Sequence, residues 1–269
     1  MPEIETRAGT LAFRDSGRGP VLVALHATLH DHRDFDAVLP ALERHHRVIA
    51  VDWPGCGDSP APRAPGRLSA ALFADALEDL VDHLGVSSAL LIGNSVGGFA
   101  AARLSINRPQ VVAGLVLVNT GGFIPMTRST LLFCRLLGTP SITRPVLPLF
   151  ARLYMRPRSA LDRQILRRVI SRARTDAGVQ QAAALWRSFG SAEHDLRGRA
   201  GELTAPTLIV WGARDKAVPL SAGLATHASL PHAQFAVLDT GHVPFASAPE
   251  QFLALVEPFL QSATAAPRS

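Results

Sequence analysis

Lysine is all but missing from this chain: Lys216 is the only one, and the permanent positive charges are otherwise arginines. Cysteine is nearly as scarce. Two residues, Cys56 and Cys134, are too few for a disulfide framework. No apolar run reaches the roughly 18 residues that a membrane-spanning helix requires, so stable membrane insertion is not expected. The N-terminal stretch MPEIETRAGTLAF has no basic segment leading into an apolar one. No signal peptide is expected, and the default location is cytoplasmic. Aromatic residues make up 6% of the chain, and no Walker motif is present. Nucleic acid and nucleotides are therefore not expected partners. Internal repeats and low-complexity tracts are also absent.

What is present is a globular composition. The 269 residues are 47% apolar and 18% charged, enough for one large domain or one domain with a sizeable insertion. The formal charge of +5 is unevenly spread: residues 124–202 hold fourteen arginines against five acids. The plainer reading of that segment is a solvated helical face; the sharper one is attraction for anionic substrates or a membrane surface. The last residues, SATAAPRS, read as a frayed tail.

Short unbroken apolar runs read as buried strands: VLVAL (21–25), RVIAVD (47–52), ALLIG (89–93), GLVLVN (114–119), PTLIVWG (206–212) and AQFAVLD (233–239). Helical spacing separates them, as in Phe73, Leu77, Leu80, Val81 and Leu84, which Gly85 closes. The alternation predicts an α/β fold with a mostly parallel, doubly wound sheet. Between about Ile124 and Glu202 the strands stop. Four arginine-rich helical stretches appear there, punctuated by Pro140, Pro145, Pro148 and Pro157. A helix near 248–260 ends the fold.

Gly93-Asn94-Ser95-Val96-Gly97 sits where a predicted strand ends and a Pro109-limited helix begins. A serine on such a tight turn is strained and exposed beside a helix N-terminus, which suits a nucleophile; a helix-capping serine is the alternative. A serine nucleophile needs a base and an orienting acid. In proteins that carry their serine on such a strand-turn-helix elbow the order is Ser, then Asp or Glu, then His, and the sequence resembles that arrangement. Asp215 follows the strand TLIVWG, and His242 follows AQFAVLD, placing both at strand C-terminal ends where side chains converge. Among ten histidines only His242 has a strand before it, a glycine beside it and a helix after it. His45, His46 and His83 read as surface positions, and His227 and His232 flank a helix. The rival slot for the acid, after GLVLVN, holds Asn119, while Asp239 is too near His242 in sequence.

The motifs DWPGCGDSP (52–60), GNSVGG (93–98), WGARDKAVP (211–219) and TGHVPFASAPEQF (240–252) resemble those of the α/β-hydrolase superfamily. The resemblance is to serine hydrolases with a helical cap inserted after the sixth strand. It covers residues 1–123 and 203–262, and implies a core of residues 1–123 and 203–269 with an all-helical cap at 124–202. It also implies an oxyanion hole from the backbone N–H of Val96 and of Thr28. The loop LHATLHDHRDF departs from the family pattern: His26 matches, but Ala27 replaces a glycine and Phe35 stands where a tryptophan is usual. Ala27 is expected to adopt a glycine's φ values with difficulty. His26, His30, His32, Phe35 and Asn119 are candidate substrate contacts. A metal at His30, Asp31, His32 and Asp34 is not expected, because loop spacing constrains little. No cofactor is expected, and Gly-x-Gly in PGCGDSP is not a dinucleotide fingerprint.

These readings imply hydrolysis of a small to medium, partly apolar carboxylic ester or lactone. GNSVGG also resembles the elbow of carbon–carbon hydrolases acting on ring-fission products. Cofactor-free haloperoxidase, lyase or cyclase chemistry on the same triad is a further alternative, and a non-catalytic ligand-binding protein a remote one. Ser95 argues against the aspartate-nucleophile dehalogenases and epoxide hydrolases of this fold. The expected partner is a small molecule, with a homodimer left open.

Overall fold

The computed structural model describes residues 1–265. Eight strands form one sheet: β1 (Glu3–Thr6), β2 (Gly9–Gly17), β3 (Val21–Leu25), β4 (Arg47–Asp52), β5 (Ala89–Asn94), β6 (Val112–Val118), β7 (Thr207–Gly212) and β8 (Gln234–Leu238). Their spatial order is β1-β2-β4-β3-β5-β6-β7-β8. From β4 across to β8 all pairs are parallel, and β2 alone runs against its neighbours. The six predicted strands fall where their apolar runs placed them. β1 and β2 were not anticipated, because their longest apolar run is Leu11-Ala12-Phe13 and polar residues fill the rest.

Alternation along each strand feeds two apolar layers. In β3, Val23 and Leu25 join the layer built on α2 (Ala70–His83) and α3 (Val96–Asn107). Leu22 and Ala24 join the opposite layer, where Phe252, Val256 and Leu260 of α10 (Pro249–Ala265) pack. Helix α1 (Leu39–Leu42) completes that second layer, and α8 (Leu220–Ser229) packs beside β7 on the first. The short α9 (Pro244–Ser247) leads into α10. Helix α10 continues to residue 265, so part of the expected tail is helical; residues 266–269 lie outside the described residues.

Between β6 and β7 lie four helices: α4 (Arg128–Leu137), α5 (Pro140–Met155), α6 (Ala160–Ala173) and α7 (Asp176–Phe189). Pro140 opens α5, but the helix runs through Pro145 and Pro148, where breaks were expected. A proline inside a helix costs about 3 kcal/mol. Thr143, Leu147, Phe150, Ala151, Tyr154 and Met155 are buried along one side of α5. Burial of Leu, Phe and Met side chains contributes roughly 1.5–3 kcal/mol each, which offsets the prolines.

Candidate active site

Ser95 stands between β5 and α3 at φ 57°, ψ −114°, in the left-handed half of backbone space that costs a β-carbon-bearing residue energy. The flanking glycines make the turn possible. A Cβ on Gly93 would lie 2.5 Å from the carbonyl oxygen of Gly97, and one on Gly97 would lie 2.5 Å from that of Leu25. Backbone bonds lock the turn: Ser95 N–H donates to Val118 O (3.0 Å), and Ser95 O accepts from Phe99 (3.0 Å) and Gly121 (3.2 Å). The serine side chain makes no cap bond to α3, so the capping alternative is not realised. Asn94, buried beside it, donates from Nδ2 to the carbonyls of Val118 and His242, both at 3.0 Å. The elbow is thereby tied to the loop after β8.

That loop carries His242, whose Nδ1 donates to Asp215 Oδ2 at 2.5 Å. Asp215 follows β7 and is itself saturated. Its Oδ1 accepts from the N–H of Ala217 (2.7 Å) and Val218 (3.1 Å), and its Oδ2 accepts from Asn119 Nδ2 (2.6 Å). With Nδ1 engaged, Nε2 is the imidazole nitrogen left for the cavity. The His242 N–H donates to Tyr154 O (3.0 Å), and the two rings meet edge-on with centroids 5.1 Å apart. Ser95 and His242 line one cavity. Ser95 Oγ has no hydrogen bond among the described residues, a common condition for a catalytic hydroxyl before ligand binds.

Val96 is the first residue of α3 and Thr28 follows β3; both line the cavity, and neither N–H is bonded among the described residues. The left-handed residue of the Thr28 loop is Leu29 (φ 62°), so the loop does not demand of Ala27 the glycine conformation it was expected to adopt only with difficulty. Arg172 of α6 fixes this loop by donating to the carbonyls of Leu29 and His30. Arg168 and Arg172 also pair with the buried Asp31 at 3.1 and 3.2 Å. Burial alone would raise the Asp31 pKa, but the two guanidinium groups outweigh it and hold it below the ordinary range.

The cavity has a volume of about 710 Å³. Its walls are largely apolar, with Ile124, Phe133, Leu147, Phe150, Trp186 and Phe189 contributing. Tyr154, His194 and Lys216 also line it, and none of these was anticipated. His194 is held between Phe99 and Phe189, with ring centroids 4.5 and 5.0 Å away. Neither of its nitrogens makes a hydrogen bond of good geometry, and burial outweighs the nearby Phe189 backbone in pushing its pKa down to about 4, so the ring is neutral. Its only sequence signal was position at the end of the helical segment.

Residues 20–249 match the profile of the family described as alpha/beta hydrolase fold. The chain belongs to this family. Two hydrolases named for 2-hydroxy-6-oxononadienedioate and 2-hydroxy-6-oxononatrienedioate are similar in sequence. The one from Klebsiella pneumoniae is 35% identical over 76% of this chain and 72% of its own length. The one from Pseudomonas putida is 34% identical over 93% and 91%. Among solved structures, a thermophilic esterase from Thermogutta terrifontis superposes with a TM-score of 0.82 at 25% identity, covering 97% of this chain and 98% of that one.

In this alpha/beta hydrolase the five candidate substrate contacts do not line the cavity. His26 is buried, its Nδ1 donating to Ala27 O (2.7 Å) and its Nε2 accepting from the Trp53 N–H (3.0 Å). Burial lowers its pKa to about 4, in keeping with that neutral tautomer. His30 bridges Asp34 and the Tyr154 hydroxyl, so it reaches the cavity wall only through Tyr154. His32 is held by Asp52, through Nδ1 (2.8 Å) and through its own N–H (2.7 Å). Burial works to lower its pKa, but the bond and charge of Asp52 win and raise it. Phe35 stacks on Phe245 with centroids 4.2 Å apart. Asn119 supports Asp215 and accepts from the Gly212 N–H (3.0 Å). His46, expected at the surface, is buried.

His32, Asp52 and Asp58 lie close enough together to hold a cation. Here His32 Nδ1 and the Asp58 N–H both bond to Asp52 Oδ2, and Arg33 pairs with Asp58. Cys56 is buried against Gln181, and burial raises its pKa to about 11, which leaves it an inert thiol.

Proposed function

We propose that this chain is a serine hydrolase of carboxylic esters or lactones whose acyl part is small to medium and largely apolar. Ser95 Oγ attacks the carbonyl carbon and its proton passes to Nε2 of His242. Asp215 keeps the ring oriented and stabilises the imidazolium. The N–H groups of Val96 and Thr28 receive the developing oxyanion, at a site where donors are worth several kcal/mol. The leaving alkoxide takes the proton from His242, and the acyl group stays on Ser95. His242 then activates water, which releases the acid and restores the serine. Helices α4 to α7 act as the cap, residues 124–202, and their inner faces set substrate preference.

The observation that carries this reading is one apolar cavity reached by both the strained Ser95 and His242. An arginine-held substrate carboxylate was the other prospect from sequence. No arginine is among the lining residues, and Lys216, itself exposed, is the one cationic side chain there. Carbon–carbon hydrolysis is the second reading, favoured by the names of the two sequence relatives. A dioate carries two carboxylates, which this lining matches poorly.

The test is a panel of p-nitrophenyl esters of increasing acyl length, run with fluorophosphonate labelling. Turnover should favour neutral acyl chains, Ser95 should label, and Ser95→Ala should lose roughly 10⁶-fold in kcat. Full turnover by Ser95→Ala would end the proposal; labelling without ester turnover would transfer support to the carbon–carbon reading.

A further inference from the structure

Among the described residues nine large apolar side chains are exposed, and six of them fall on two neighbouring helices. Leu132, Phe133 and Leu136 belong to α4; Val146, Leu149 and Leu153 belong to α5. Leu132 and Leu136 stand one turn apart on α4, and Val146, Leu149 and Leu153 follow helical spacing on α5, so each helix presents a stripe. The opposite sides of both helices are buried, through Cys134 and Leu137 on α4 and Leu147, Ala151 and Tyr154 on α5. Scattered exposed leucines are ordinary in folded proteins, but concentration in one place marks a contact surface.

The charges carried by these two helices are of one sign. Arg128, Arg135, Arg144, Arg152 and Arg156 are all exposed on or at the ends of α4 and α5. No acidic residue occurs between His83 and Leu161. Arg144 pairs with Asp176 of α7, which is the acid that reaches this face. Two other arginines of the helical segment behave differently: Arg168 and Arg172 turn inward to clamp Asp31 and the Thr28 loop. Two uses of arginine are thus combined, an inner clamp and an outer apolar–cationic face.

We infer that α4 and α5 form a peripheral docking face for a bilayer containing anionic phospholipids. Exposed leucines enter the boundary between headgroups and acyl chains, while flanking guanidinium groups pair with lipid phosphates. A second copy of this chain is the other apolar occupant to weigh. Two such faces brought together would set arginine against arginine with almost no acid to compensate, which favours the anionic lipid surface. Neither helix is long enough to cross a bilayer. Phe133 connects the face to the chemistry: it is 39% exposed, and it also lines the cavity. Docking would hold the cavity roof against the phase in which apolar compounds concentrate.

The test measures vesicle co-sedimentation of the full chain, with its association state followed by sedimentation velocity. One set of vesicles is phosphatidylcholine alone, the other phosphatidylcholine with one third phosphatidylglycerol. Binding is expected to the anionic vesicles only and to weaken at high salt. Each arginine near the surface contributes a factor of about five, so Arg128→Gln with Arg135→Gln should weaken partitioning more than about tenfold. Leu132→Ser with Leu149→Ser should weaken it too; all four positions are exposed, so unchanged circular dichroism is expected as the folding control. The proposal is overturned if anionic vesicles do not bind, if neutral vesicles bind equally, or if the leucine pair instead abolishes a dimer. Vesicle binding needs no turnover, so its failure and failure of the esterase reading are separate results.

Discussion

At the scale of single residues, Asn119 repays the closest look. It holds φ 43° just past β6, a conformation that asparagine tolerates better than most residues. From there its amide joins two strand ends, donating to Asp215 Oδ2 and accepting from the Gly212 N–H. Asn119→Ala should leave that buried N–H unpaired and cost about 1–3 kcal/mol in urea denaturation. Asn119→Asp should do something different. A second carboxylate beside Asp215 would make ionisation of the pair harder, shifting the acid limb of the kcat profile to higher pH. A wild-type profile in that variant would remove Asn119 from the machinery. Ser95, Asp215 and His242 were legible because each follows an unbroken apolar run, and a strand end is where a parallel sheet gathers side chains. The loop histidines were not legible. His26, His30 and His32 take their roles from Trp53, Tyr154 and Asp52, and no local spacing encodes those distant contacts.

At the scale of elements, the join between α5 and the loop after β8 leaves no room for a side chain. Gly241 meets the last turn of α5 so closely that a Cβ would lie 2.5 Å from Tyr154 O and closer still to Met155 O. The same Tyr154 carbonyl accepts the His242 N–H. Gly241→Ala should therefore lower stability by about 1–3 kcal/mol through overpacking and also depress kcat, since α5 and His242 must part. Thermal melting and ester turnover would check this together; a variant with normal values for both would refute the packing account. Sequence marked Gly241 only as a neighbour of His242, because what crowds it belongs to a helix far away along the chain. The two prolines inside α5 misled for a related reason. Local propensity opposed a helix there, and tertiary burial of Leu147, Phe150 and Tyr154 prevailed.

At the scale of the molecule, acid sensitivity follows from two buried neutral histidines. His26 and His194 have pKa values near 4 in the fold, against 6.5 ordinarily. Between those values the unfolded chain binds more protons than the folded one, so stability falls as pH falls. Each histidine contributes a slope of up to about 1.4 kcal/mol per pH unit in that window. His32, raised by Asp52, acts oppositely, its contribution being full below pH 6.5 and lost as pH rises through its folded value. The melting temperature should thus drop between about pH 6.5 and 4. His194→Phe, placed between Phe99 and Phe189, should flatten that drop; an unchanged slope would show that His194 does not titrate with unfolding.

The order of the strands has a bearing on how the protein is made. Strand β6 pairs with β5 on one side and with β7 on the other. Strand β7 is synthesised only after the whole of α4 to α7. Through that interval the nascent sheet has an open edge at Leu115–Val118, rich in β-branched residues, beside exposed apolar helices still looking for a partner. Asp215 and His242 arrive later again, so the emerging chain carries its serine long before it can use it. A pause in translation across the helical segment is therefore expected to lower the soluble yield, which slow codons placed there would test.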